Sequence, residues 1–73
     1  MTVGDLCRDI AEALARRYPG TVPSQYHVVL EWGDGMWLAF ARTQYSPTRL
    51  SPVSHPTPEG ALARLLDHYC TRR

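Results

Sequence analysis

The residues best suited to metal binding are three histidines and two cysteines spread along the whole chain. His27, His55, His68, Cys7 and Cys70 stand far apart, and no CxxC or HxxxH spacing occurs. His68 and Cys70 are two positions apart in a predicted helix, so their side chains point in different directions. Because zinc sites need clustered ligands at short spacings, the sequence predicts no metal site and no cofactor.

Side chains that could perform catalysis are equally scarce. The segment SPVSHP brings serines and a histidine together, but these residues in a proline-rich loop are more often solvated turn residues. No GxSxG, Walker or GxGxxG motif is present. The closest carboxylates, Glu31 and Asp34, are explained by a polar strand position and a turn. A core this small rarely encloses an active site, so we expect that the protein is not an enzyme.

The composition is that of one small domain spanning residues 1–73. Hydrophobic residues make up 44% of the chain and charged residues 21%, which favours a folded core over disorder. The net charge of +1, with arginines and no lysine, excludes a strongly basic nucleic-acid clamp. Without a signal-peptide pattern or a long apolar run, a cytoplasmic location is expected. There Cys7 and Cys70 are expected to be reduced; the alternative is a disulfide that links the two ends.

Two amphipathic helices are predicted at the ends of the chain. Thr2 and Asp5 form the start signal of the first helix, which runs from Thr2 to Tyr18. Thr57 caps the second helix, and Pro58 takes its first position. Each helix has one apolar face at helical spacing, and both faces need a covering surface. Both helices are therefore expected on the same face of a sheet.

The segment between the helices predicts a β-hairpin whose register depends on its GDG loop. A two-residue Asp34-Gly35 turn sets Trp32 opposite Trp37 and leaves Met36, Leu38 and Phe40 away from the core. A three-residue loop instead gathers the large apolar residues on one face. We prefer the three-residue loop, because a half-buried sheet is expected to direct its large apolar residues to the core.

The fold class predicted from these elements is α+β. It comprises a helix, an antiparallel hairpin with room for a third edge strand around Thr48 to Pro52, and a helix. Leu30→Ala is expected to cost about 2–5 kcal/mol of stability if Leu30 is fully buried. The predicted core consists of Leu6, Ile10, Leu14, Val28, Leu30, Trp32, Leu38, Phe40, Leu62, Leu65 and Leu66.

The preferred register places Trp37 beside Glu31 on the sheet face away from the helices. A tryptophan among small residues on such a face is a common interface anchor. The alternative is that the loop of residues 44–55 or a second protomer covers Trp37. The predicted partner-binding residues are Trp37, Glu31, Val29, His27, Arg42, Tyr45 and Arg49.

Two known families resemble parts of this chain. The order of helix, strands and helix resembles that of double-stranded RNA-binding domains. That family carries a lysine-rich signature where this chain has PTPEGALAR, with Glu59 and no lysine. The segment TPEGALARLLDHY resembles the TPEEAL helix of HicB-like antitoxins and of small uncharacterised phage proteins, although HicB-like chains begin with strands. The arginines available for phosphate contact are Arg16, Arg17, Arg42, Arg49, Arg72 and Arg73.

These patterns favour a non-enzymatic regulator or inhibitor that binds a larger protein. The HicB-like resemblance implies a small regulator that acts by binding another protein. By analogy with phage and mobile-element proteins, the partner is expected to be a host machine such as the transcription apparatus. The alternatives are a nucleic-acid-binding domain and an antitoxin-like homodimer. Nucleic-acid binding is expected to be weak, salt-sensitive and independent of sequence.

Overall fold

A computed structural model describes residues 2–70, including all of their side chains except those of Pro47 and Cys70. The strands form one antiparallel sheet of order β1-β2-β3, so the predicted α+β class and the third strand are confirmed. The elements in chain order are α1 (Val3–Arg17), a short 3₁₀ helix (Pro23–Gln25), β1 (Tyr26–Gly33), β2 (Met36–Thr43), β3 (Ser46–His55) and α2 (Pro58–Cys70).

Both predicted helix starts are confirmed by their capping hydrogen bonds. The Asp5 N–H donates to Thr2 Oγ1 at 3.0 Å, and the Thr2 N–H donates to Asp5 Oδ2 at 3.3 Å. At α2, the Gly60 N–H donates to Thr57 Oγ1 at 3.0 Å. These bonds satisfy backbone groups that have no partner inside a helix, so they fix where each helix begins.

The core lies between the two helices and one face of the sheet. Helix α1 packs over β1, whereas α2 packs over β2 and β3, and the helices also contact each other. The largest fully buried side chains all come from the helices: Ile10, Leu14, Leu62 and Leu65. The sheet contributes small residues beneath them, because Ala39 and Ala41 are each 0% exposed.

The hairpin register predicted from the GDG loop is wrong. The turn has two residues, Asp34 and Gly35, so Gly33 pairs with Met36 and Trp32 pairs with Trp37. The φ angles of Asp34 and Gly35 are +53° and +73°, as a type I′ turn requires. Asp-Gly is a preferred pair for this turn, and its geometry matches the twist of the flanking strands. Turn chemistry therefore outweighs the tendency of large apolar residues to face the core.

This register changes part of the predicted core. Leu38 and Phe40 lie on the sheet face away from the helices, and Trp32 is 60% exposed near the turn. Val28, Leu30 and Leu66 are only partly buried against the core. Leu30→Ala is accordingly expected to cost less than the range for a fully buried leucine. The predicted core members confirmed as buried are Leu6, Ile10, Leu14, Leu62 and Leu65, together with Phe40, which is buried on the sheet face away from the helices.

Strand β3 is longer than the stretch predicted for it. It continues through Pro47 and Pro52, which is tolerated because β3 is an edge strand and pairs only with β2. Its register shifts between the partners of Ala39 and Ala41, and Ser51 has a φ of +50° in this irregular stretch. The shift bends the edge strand and interrupts its ladder.

Helix α2 approaches the end of β3 closely. The imidazole of His55 occupies the space that a Cβ on Gly60 would need. His55 Nδ1 accepts a hydrogen bond from the Thr57 N–H at 3.1 Å, which holds the ring beside the helix start. A glycine that is unfavourable for a helix is therefore required here by packing rather than by backbone conformation.

Candidate functional site

The sheet face away from the helices, here called the outer face, is built from alternate residues of the strands. Side chains along a strand alternate between faces, and Ala39 and Ala41 identify the face under the helices. Val29, Met36 and Leu38 are half-buried on the outer face. Its members are His27, Val29, Glu31, Met36, Leu38, Phe40, Arg42, Arg49 and Ser54.

Phe40 lies at the centre of the outer face and is covered by an arginine. The guanidinium carbon of Arg49 is 4.7 Å from the centroid of the Phe40 ring, within the range of a cation–π contact. Arg49 Nη2 is also 3.9 Å from Glu31 Oε2. Because both charged side chains remain about half exposed, this ion pair contributes little stability. Arg49 therefore acts mainly as a cover that leaves Phe40 only 4% exposed.

Two open depressions lie next to each other on the outer face and share Glu31. The first, about 370 Å³, is lined by Glu31, Trp32, Gly33, Asp34, Met36, Leu38 and Ser54. The second, about 310 Å³, is lined by Val29, Glu31, Phe40, Arg42 and Arg49. Among the described residues, the first thus has two carboxylates and no cation in its lining, whereas the second has two guanidinium groups and one carboxylate.

The charge on the outer face therefore changes along the strands. The acidic end lies at the Asp34-Gly35 turn, where Glu31 and Asp34 flank the apolar surface of Met36 and Leu38. The basic end lies farther along the sheet, where Arg42 pairs with His27 across the strands. Apolar side chains connect the two ends. Such a surface can bury apolar groups of a partner while charged side chains at its border set the orientation.

Five of the predicted partner-binding residues lie together on this face, and two do not. Trp37 faces the helices, packs against the core, and has its ring centroid 5.3 Å from that of Trp32. The predicted placement of Trp37 on the face away from the helices is therefore wrong, because the two-residue turn reverses the faces of β2. Tyr45 is 75% exposed in the turn between β2 and β3 and lines neither depression. The five residues on the face are Val29, Glu31, His27, Arg42 and Arg49.

The sequence-based prediction missed three of the four apolar members of the outer face. The three-residue loop predicts Met36, Leu38 and Phe40 on the core side of the hairpin, whereas the structure places them on the outer face. The Asp34-Gly35 pair was the signal that places them correctly, since it is typical of a two-residue hairpin turn.

The reactive groups on the helix side do not form a second site. Cys7 is a free, half-buried cysteine, and burial raises the pKa of its thiol, which keeps it protonated and poorly nucleophilic. Burial also raises the pKa of Tyr69, whose hydroxyl has Ser51 nearby but no partner in hydrogen-bond geometry within residues 2–70. Within the same residues, no group of three potential metal ligands comes together. The side chain of Cys70, with Arg72 and Arg73, lies outside the described residues.

Four of the six arginines predicted for phosphate contact have described side chains, and these four do not form one patch. Arg16 and Arg17 lie in the last turn of α1, on the helix side of the sheet. Arg42 and Arg49 lie on the opposite side, where Glu31 partly balances their charge. A continuous basic surface of the kind that follows a phosphate backbone is therefore not formed by these four residues.

Comparison with known proteins identifies no relative. No family model, no curated protein and no solved structure matches this chain. Neither α1 nor α2 has the length and apolar character needed to cross a membrane.

Proposed function

We propose that this chain is a non-enzymatic protein-binding domain that regulates or inhibits a larger protein by covering part of its surface. The observation that carries the proposal is the outer face. Both helices of the described chain pack on the other side of the sheet, so Met36 and Leu38 remain partly accessible beside charged groups. Exposed apolar surface with a polar border is a common property of protein-interaction sites.

The two depressions suggest what a complementary partner offers. An aliphatic or aromatic side chain of the partner fits over Met36 and Leu38, where burial of apolar surface is favourable. A partner carboxylate fits Arg42 and Arg49, since guanidinium groups form charge-assisted hydrogen bonds with carboxylates. An eight-residue strand is about 26 Å long. The outer face is only three strands wide, so a partner that covers it buries less area than a standard interface does. We therefore expect moderate affinity.

The identity of the larger protein rests on analogy rather than on the geometry. Compact chains without a cofactor are typical of phage and mobile-element proteins that act on a host machine such as the transcription apparatus. We propose a cytoplasmic partner of this kind. The TPEGAL segment is consistent with this role because it resembles small regulators that bind another protein.

Affinity capture with matched variants tests this proposal. The wild-type chain, Leu38→Glu and the control Val22→Glu are immobilised and exposed to an extract of the native host. Val22 is an exposed apolar residue outside the sheet, so its substitution adds the same charge without altering the outer face. The captured partner is then purified and titrated by calorimetry. Leu38→Glu is expected to weaken binding by about 2 kcal/mol or more, the scale of an interface hot spot. Equal binding by wild type and Leu38→Glu would contradict the proposal.

The alternative function is nucleic-acid binding, because the arginines on the outer face could contact phosphate groups. Titration with duplex RNA and duplex DNA near physiological salt is expected to give dissociation constants no tighter than about 10⁻⁶ M, typical of non-specific contacts. Substantially tighter binding that is lost in Arg42→Ala would favour the nucleic-acid function instead.

A further inference from the structure

We propose that a second copy of this chain covers the outer face when the larger partner is absent, giving a face-to-face dimer. The two-fold axis lies between the two sheets and perpendicular to the strands. This inference rests on the proposed function in one respect, since both assign binding to the outer face. It differs in naming the partner, and it is tested with the purified chain alone.

The charge distribution on the outer face is the first argument. One end carries the carboxylates of Glu31 and Asp34, and the other carries the guanidinium of Arg42, with that of Arg49 between them. A two-fold axis perpendicular to the strands reverses the strand direction in the second copy. The acidic end of each copy therefore meets the basic end of the other, and this favourable contact occurs twice.

An axis parallel to the strands gives a less favourable pairing. In that arrangement the same ends meet, so Arg42 comes close to Arg42 of the second copy, and the two acidic ends also face each other. Like charges placed together in a partly desolvated interface are unfavourable. The electrostatics therefore select one of the two face-to-face orientations.

The shape of the molecule permits this contact. Both helices lie on the other side of the sheet, so no helix separates two outer faces. Two sheets packed face to face lie about 10 Å apart, with side chains of the inner faces between them. Val29, Met36 and Leu38 are half-buried in the single chain and lose their remaining accessible surface in the dimer.

The guanidinium of Arg49 is compatible with such an interface. It already stacks on Phe40 and lies near Glu31, so part of its charge is balanced within its own chain. Arginine is common at protein interfaces because its planar group stacks on apolar surface and is only weakly hydrated. The proposed interface has a small area and a partly polar centre at Arg49, so the dimer is weak rather than obligate.

Sedimentation velocity of the purified chain tests the association. We expect a monomer–dimer equilibrium that is visible between about 10 µM and 1 mM, as befits a small interface. Leu38→Glu and Met36→Glu are each expected to weaken association by about tenfold or more, because both place a charge in the apolar part of the face. Val22→Glu should associate as the wild type does. A chain that remains monomeric at about 1 mM, or a dimer insensitive to both face variants, would overturn the proposal.

A charge-exchange experiment tests the orientation. Glu31→Arg and Arg42→Glu alone each place like charges together in the proposed dimer, so each is expected to weaken self-association. The double variant, with Glu31→Arg and Arg42→Glu in one chain, restores opposite charges at both ends of the proposed interface, so it is expected to associate more strongly than either single variant. With an axis parallel to the strands the double variant would still bring like charges together. Circular dichroism confirms that all three variants are folded. A double variant no more associated than the single variants would overturn the orientation.

The outcomes separate this inference from the proposed function. A monomeric chain whose capture of a larger protein depends on Leu38 would contradict the dimer and leave the proposed function standing. A dimer that is weakened by Leu38→Glu, together with partner binding that is not, would retain the dimer and contradict the assignment of the larger partner to this face.

Discussion

The two faces of the sheet differ in the size of the residues that β2 contributes to them. The face under the helices receives Ala39 and Ala41, which are completely buried. The outer face receives Met36, Leu38 and Phe40, which are larger and, except for Phe40, partly accessible. Apart from Trp37 near the turn, the smaller residues therefore form the core side of this strand, and the larger apolar ones form the side that we propose for binding.

The comparison teaches that residue size alone does not identify the core face of a strand. Helices α1 and α2 fill the core with Ile10, Leu14, Leu62 and Leu65, so close packing is reached with alanines in the sheet beneath them. The summed volume of the helix side chains and the sheet side chains determines whether the core packs well, and large side chains on both would not fit together. Large apolar residues on the remaining face are then available for another purpose.

The largest expected difference between the faces concerns truncation of a leucine in the helix layer. Leu65→Ala should cost about 2–5 kcal/mol, because it opens a cavity in a fully buried site. Met36→Ala on the outer face should cost less than about 1.5 kcal/mol, since Met36 is only half-buried. Urea unfolding of both variants measures the difference. Equal losses would show that the two faces are equally buried.

The two tryptophans sharpen the comparison at the turn end of the sheet. Trp37 packs against the core, whereas its cross-strand partner Trp32 is 60% exposed. Trp37→Ala should therefore cost about 2–3 kcal/mol and Trp32→Ala less than about 1 kcal/mol in thermal or chemical unfolding. A larger loss for Trp32→Ala would reverse this assignment and contradict the register.

A smaller effect is expected at the turn that sets which face each residue occupies. Asp34→Ala should cost about 1 kcal/mol, because alanine is strained at the positive φ that Asp34 adopts. Gly33→Ala is the matched control: Gly33 has no positive φ, and its added Cβ meets nothing within 4 Å. Denaturant melts of both variants check the prediction. No loss for Asp34→Ala would indicate that the type I′ turn is not required.

The first residues of both helices and the class of the fold could be predicted from local sequence signals. Thr2 with Asp5, and Thr57 with Pro58, act within a single turn of chain, so no tertiary information is needed to recognise them. The faces of β2 depend on the volume that the helices occupy, which no strand pattern contains. The Asp34-Gly35 pair nevertheless indicates the two-residue turn, because it is typical of type I′ hairpins.

The extent of the edge strand and the arrangement of the candidate site could likewise be predicted only in part from the sequence. Proline in SPTRLSPVSH limited the predicted edge strand to the stretch around Thr48 to Pro52, whereas β3 spans Ser46–His55 and pairs with β2. Five predicted site residues, including Glu31 and Arg49, do share the outer face. Their proximity to Phe40 depends on the register and could not be predicted with the wrong turn.

The smallest expected effect lies at the start of α1, which covers the core face. Hydrogen bonds from the Thr2 backbone and hydroxyl lower the pKa of Asp5 below its ordinary value of 3.8. A folded-state pKa that is lowered stabilises the protein above the unfolded value, and this stabilisation is lost as the pH falls through the folded value. The Tm difference between the wild type and Asp5→Asn should therefore be largest near neutral pH and disappear in strong acid. A difference that does not change with pH would contradict this role of Asp5.

The most direct test of the two-face account compares neighbouring residues of β2 that point in opposite directions. Leu38 lies on the outer face and Ala39 under the helices. In chemical unfolding, Leu38→Glu should retain a cooperative transition with a loss below about 1.5 kcal/mol, as for a partly exposed site. Ala39→Glu should prevent folding, because it buries an unpaired charge and overfills the core. A folded Ala39→Glu together with an unfolded Leu38→Glu would contradict the register and, with it, the assignment of the outer face.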